Sequence, residues 1–137
     1  MKPDPLQEGR RWLLQAEQDL KDAKYSFEGK RFHLACFLSQ QAAEKALKAF
    51  LYAKREENVF GHSVAELCTK VIMHNEKFRK IKKASVLDKY YIPTRYPDGL
   101  PGGVPYEMFD KEDAMKAIGL ASEVIKMVKK DLKMADE

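Results

Sequence analysis

Arg31 to Lys54, RFHLACFLSQQAAEKALKAFLYAK, is the stretch that decides the fold. At about 100° per residue, Ala35, Leu38, Ala42, Ala46, Ala49 and Ala53 fall on one stripe, and Cys36, Ala43, Leu47 and Phe50 on a second beside it. Gln41, Glu44, Lys45 and Lys48 take the opposite face. An apolar arc of about half the circumference marks a central helix packed against two neighbours, and the many alanines call for close approach of the backbones. That arc is also wider than one antiparallel neighbour covers, so a homodimer is expected.

Upstream, Asp4-Pro5-Leu6-Gln7 supplies an N-cap, a proline at the first helical position and a glutamine three residues after the cap. Leu6, Leu13, Ala16, Leu20, Ala23 and Phe27 then repeat at helical spacing until Gly29 ends the first helix. Downstream, Gly61-His62-Ser63 opens a short third helix, with Ser63 and Glu66 as a capping box and Val64, Leu67, Cys68, Val71 and Ile72 as its buried face. A basic fourth helix from Glu76 to Tyr91 sets Lys77, Arg79, Lys80, Lys82, Lys83 and Lys89 around Phe78, Ile81 and Leu87. Asp110 caps the fifth, whose stripe is Ala114, Ala117, Ile118, Ala121, Val124, Ile125, Val128 and Leu132. No period-two strand and no internal repeat interrupts this pattern. The expected fold is one all-α domain over residues 1–137, an antiparallel bundle of about five helices with a long Pro/Gly-rich loop before the last.

That loop, Tyr90 to Asp110, reads YYIPTRYPDGLPGGVPYEMFD and holds four of the six prolines and four of the six tyrosines, together with Arg95 and Phe109. Unstructured connections beyond about 12–15 residues are uncommon in compact domains, and those that persist tend to be functional or disordered. Its prolines make this one stiff, and its aromatics give it surface to bury or present, so a site is sought here first. Pro93 and Pro97 fix φ on either side of Thr94-Arg95-Tyr96, holding the guanidinium on a turn suited to bidentate phosphate contact. The rival reading is a structural turn in which Arg95 pairs with Asp98 or Glu107 and the tyrosines pack on the bundle.

Other chemical signals are sparse. A net charge of +4 permits anionic partners without demanding them. Cys36 and Cys68 lie in apolar helical patterns with no CxxC or histidine company, which makes them reduced core residues of a cytoplasmic protein. No apolar run approaches the roughly 20 residues of a membrane span, and the N-terminus MKPDPLQEGRR has no signal-peptide core. His33, His62 and His74 have no helical partner or carboxylate at ligand spacing, so neither a metal nor a cofactor is expected. Gly99 to Gly103 lacks the Gly-Lys-Ser/Thr ending of a phosphate loop and reads as a turn. The Lys77 to Lys83 cluster suits either phosphate contact or a solvated face. Arg55 and His62 satisfy an Arg-x6-His spacing.

Trp12 with Ala16, Asp19-Leu20 and Ala23, the run FLSQQAAEKALKA from Phe37 to Ala49, Gly61-His62-Ser63 with Leu67, and PTRYPD from Pro93 to Asp98 carry a family resemblance. Together they resemble the HEPN domain, "higher eukaryotes and prokaryotes nucleotide-binding", in its Arg-Tyr-Pro-Asp loop form, over essentially the whole chain. The resemblance implies antiparallel helices, a homodimer, nucleotide or RNA as ligand, and a minimal nucleotidyltransferase as partner in a two-component toxin and antitoxin pair. Arg95 with Lys45 and Lys48 as nearby lysines would capture the ligand phosphate, while Tyr91, Tyr96 or Tyr106 stacks on the base. Ribonucleases of the family carry Arg-x4-6-His near the start of a late core helix, facing its copy across the dimer. Here Arg55 and His62 follow the second helix, Glu56 comes next after the arginine, and the fifth helix has no histidine. The expectation is therefore a binding or interaction domain. The alternative is a metal-independent ribonuclease with Arg55 as electrophile and His62 as acid/base across a homodimer.

Overall fold

The computed structural model describes residues 4–134, and the three residues at either end of the domain expected over 1–137 lie outside the described residues. In chain order it contains α1 (Pro5–Glu28), α2 (Phe32–Ala53), α3 (Val64–His74), a 3₁₀ helix (Glu76–Tyr90), α4 (Pro105–Met108) and α5 (Lys111–Asp131). Five of these are helices of seven residues or more, and no strand occurs among the described residues, as the sequence patterns require. The Asp4 carboxylate accepts from the Gln7 amide to start α1, and Gly29 ends it. Asp110 and Asp113 close a reciprocal capping box on α5.

α2 is the central helix and touches α1, α3, α5, the 3₁₀ helix and α4. Ala42, Ala43, Ala46 and Ala49 are fully buried, and the close approach they allow is sharpest at Gly9 of α1. A Cβ there would stand 2.7 Å from the Ala49 carbonyl oxygen and 2.9 Å from the Ala53 Cβ, so the crossing admits no side chain at that position. The apolar arc of α2 is therefore covered within one chain, because several elements and not one neighbour pack on it. Leu38 and Ala53 of the arc stay half-buried. The opposite, polar face does not look at solvent either: Glu44 and Lys48 are 3% and 6% exposed.

The fourth helix winds as 3₁₀ rather than α, and its composition explains why. Phe78, Ile81, Ala84, Leu87 and Tyr90 recur at every third position, and all are buried. Three residues per turn stacks them on one side, whereas at 3.6 the same spacing would drift by about 60° per step. Asp88 joins this helix to the start of α3. It accepts from the Val64 amide at 2.6 Å, the Ala65 amide at 3.0 Å and the Ser63 hydroxyl at 2.8 Å. The expected capping box is thus half formed: the Ser63 oxygen accepts from the Glu66 amide, while its proton goes to Asp88.

The long connection is ordered by its own turns. The Ile92 carbonyl accepts from the amides of Arg95 and Tyr96, Pro97 to Gly99 make one 3₁₀ turn, and α4 follows. Gly99 folds back so closely that a Cβ would come within 3.0 Å of the Pro93 Cα. Thr94 is buried with its hydroxyl donating to the Tyr90 carbonyl. Cys36 and Cys68 are buried and unbridged, and burial pushes their thiols up to about 12 and about 11. No helix among the described residues is long and apolar enough to cross a membrane.

Candidate functional site

The loop after the 3₁₀ helix lies against the first turns of α2, and Arg95 sits at the junction. Its guanidinium lies 4.2 Å from the ring centre of Phe37, 4.7 Å from Tyr91 and 5.1 Å from Tyr96, and its Nε donates to the Tyr91 carbonyl at 2.7 Å. The pairing with Asp98 or Glu107 does not form, nor does any other described carboxylate reach it. Three rings and one carbonyl therefore orient a half-buried cation that no carboxylate among the described residues compensates.

Arg95 borders a cavity of about 370 Å³ walled by His33, Phe37, Pro97, Pro105 and Tyr106. Tyr106 is exposed and meets His33 edge to face at 6.4 Å. Burial, and then the neighbouring Arg31, lower the His33 pKa, so this wall is a neutral ring at neutral pH. The hydrogen bond to Glu107 raises the Tyr106 phenol, which keeps it protonated.

A second cluster abuts the first through Tyr91. The His62 imidazole stacks on that ring at 5.1 Å and 17°, with Nδ1 3.3 Å from Glu44 Oε1. Glu44 in turn holds Lys48 at 3.1 Å, and the Gln40 amide donates to the His62 carbonyl at 2.8 Å. The Lys48 ammonium lies 5.6 Å from the centre of the Trp12 ring, which stacks on Tyr52. Glu44 thus anchors both a buried ammonium and an exposed imidazole.

Of the residues expected from sequence, Arg95, Tyr91 and Tyr96 come together, and Tyr106 joins them across the cavity. Lys45 and Lys48 do not. Lys45 pairs with Asp19 of α1 and Lys48 with Glu44, because an ammonium packed between helices needs a carboxylate to offset lost hydration. Arg55 lies past the end of α2 with a left-handed φ of 64°, and no hydrogen bond or ring contact joins it to His62. Sequence reasoning passed over Phe37, Glu44 and His33. A signal existed for two of them: Phe37, Gln41, Glu44 and Lys48 fall at i, i+4, i+7 and i+11, one stripe of α2 headed by an aromatic.

Comparison with known proteins gives a consistent picture. The family model for the HEPN domain matches residues 10–131. The Methanocaldococcus jannaschii protein named "Putative toxin MJ1304" is 28% identical over 131 residues, covering 89% of this chain and 86% of that one. The crystal structure of TT1696 from Thermus thermophilus superposes with a TM-score of 0.84 at 37% identity, covering 90% of this chain and 97% of that one. ST0689, an archaeal HEPN homologue, gives 0.76 at 38% identity and covers 96% and 99% of the two chains.

Proposed function

The chain belongs to the HEPN domain family, and we propose that it is a nucleotide-binding domain in which Arg95 captures a phosphate while Tyr96 or Tyr106 stacks on the base. The observation that carries this reading is the uncompensated guanidinium, held by Phe37, Tyr91 and Tyr96 beside a cavity of about 370 Å³. A phosphate reaching it would gain charge-assisted hydrogen bonds from a group already oriented and partly desolvated. Tyr91 acts as a support, since the His62 imidazole and the guanidinium already cover its ring. Thermal-shift measurements with nucleoside mono-, di- and triphosphates test it. A ligand at about 100 times its Kd adds about 2.7 kcal/mol and moves the transition by several degrees. No shift with any of them would remove the proposal.

The relative named "Putative toxin MJ1304" supports a place in a toxin–antitoxin-like pair, and the proposal takes a minimal nucleotidyltransferase as the partner, which the family resemblance implies. The proposal includes a homodimer, supported by apolar surface at the loop end of the bundle, where Leu34, Ile92 and Met108 are exposed. Light scattering in dilute neutral buffer is expected to give twice the chain mass, and a monomer mass would overturn that part.

The ribonuclease reading has one observation in its favour, the exposed His62 imidazole oriented by Glu44 beside the Arg95 cluster. Arg55 and His62 follow α2, outside the late-helix position that the family's ribonucleases use, and the fifth helix has no histidine. Little cleavage of mixed-sequence RNA is therefore expected on a gel. Cleavage that His62→Ala abolishes in a still-folded protein would reverse this assignment.

A further inference from the structure

At the other end of α5 lie two broad concavities, one on each side of the helix. One, of about 860 Å³, lies between α5 and the 3₁₀ helix, and the other, of about 940 Å³, between α5 and α1. They share Lys126 and Lys130 on the ridge of α5 between them and Lys133 just past its end. Lys77 and Lys80 wall the first, and Lys21 and Lys24 the second. All seven ammonium groups are exposed, and none is paired with a described carboxylate. The three acids lining the concavities are already answered: Glu17 by Lys129, Glu123 by Lys83 and Asp131 by Lys54.

We propose that this surface binds duplex nucleic acid, the α5 ridge lying along a groove and each concavity taking the phosphates of one strand. Three observations select that occupant. Seven uncompensated charges on one face attract a polyanion far more than a single carboxylate pair would require. None of the exposed large apolar side chains lies in either concavity; Phe78 and Ile81 beneath the first are 1% and 4% exposed. Unpaired bases would find no exposed aromatic there to stack on. Helices packed side by side stand about 8–10 Å apart, so the concavities flank α5 at a separation comparable to the roughly 12 Å major groove of B-DNA or the wide minor groove of duplex RNA. Lysines without arginines, glutamines or asparagines on the ridge supply point charges and no base-edge readout, so binding is independent of sequence. The surface begins about 22 Å along α5 from its loop end, and it does not depend on the Arg95 reading.

Fluorescence anisotropy with labelled duplex DNA, duplex RNA and single-stranded RNA of one length tests it, with polyglutamate as competitor. The expected result is that one or both duplexes bind more tightly than the single strand. The affinity should fall steeply with salt, and Lys126→Gln/Lys130→Gln should flatten the slope of log K against log salt by about 1.8, about 0.9 per lysine. Lys77→Gln/Lys80→Gln on one wall should flatten it equally, with melting temperatures unchanged and Arg95→Ala without effect. Preference for the single strand, displacement by polyglutamate as effective as by duplex, or slopes unaltered in both lysine variants would each overturn the proposal.

Discussion

Arg95→Ala is expected to weaken nucleotide binding by at least about 30-fold, equivalent to roughly 2 kcal/mol of lost charge-assisted hydrogen bonding. The estimate rests on the guanidinium being the one group of the loop cavity that combines charge, fixed orientation and freedom from any described carboxylate. The same substitution also strips packing from Phe37, Tyr91 and Tyr96, at about 0.5–1 kcal/mol for each partly exposed cation–π contact, so a fall of several degrees in melting temperature accompanies it. Stability alone therefore does not separate a ligand site from a structural clamp. Affinity does, and Arg95→Lys sharpens the test. Lysine keeps the charge but loses the planar fork and its stacking, so a phosphate site should recover only part of its affinity. Unchanged affinity in Arg95→Ala, whatever its melting temperature, would reduce Arg95 to a clamp that fastens the loop to α2.

The sequence spelled out those parts of the fold that local periodicity controls. Asp4, Gly29 and Asp110 fix helix ends through side-chain and backbone hydrogen bonds within a few residues, and the structure has them where the pattern sets them. The 3₁₀ helix was legible too, in the strict third-residue spacing from Phe78 to Tyr90, but an expectation of 3.6 residues per turn obscures a period of three. What stayed hidden is non-local. Phe37 lies under Arg95 across 58 positions of sequence, and Asp88 caps α3 from 24 residues downstream of Val64. No spacing rule couples such residues. The polar stripe of α2 misled for a related reason: Lys45 and Lys48 were expected to reach a ligand phosphate, yet α1 and the turn at His62 lie against that face and the two lysines survive burial by pairing.

That buried pairing gives the largest expected loss of stability. In Glu44→Ala the Lys48 ammonium, whose side chain is 8% exposed, loses the carboxylate it pairs with among the described residues and is left facing the Trp12 ring, while His62 loses the acceptor at Nδ1. Removing one partner of a buried ion pair costs about 3–5 kcal/mol, which for a domain of this size lowers the melting temperature by roughly 10–15 °C. Lys45 offers an internal comparison, because its side chain is 23% exposed and water can compensate it in part. Asp19→Ala should accordingly cost less than Glu44→Ala. The cause of the loss, an orphaned charge and not a missing attraction, is separated by the double replacement Glu44→Leu/Lys48→Met. With both charges gone and the volume kept, most of the lost stability should return, since apolar replacements of buried pairs are often neutral or stabilising. Calorimetry on the three variants decides it: a Glu44→Ala transition within about 2 °C of the parent would mean that Lys48 escapes to water past Trp12, and a double variant as unstable as the single one would place the cost in packing at α2 instead.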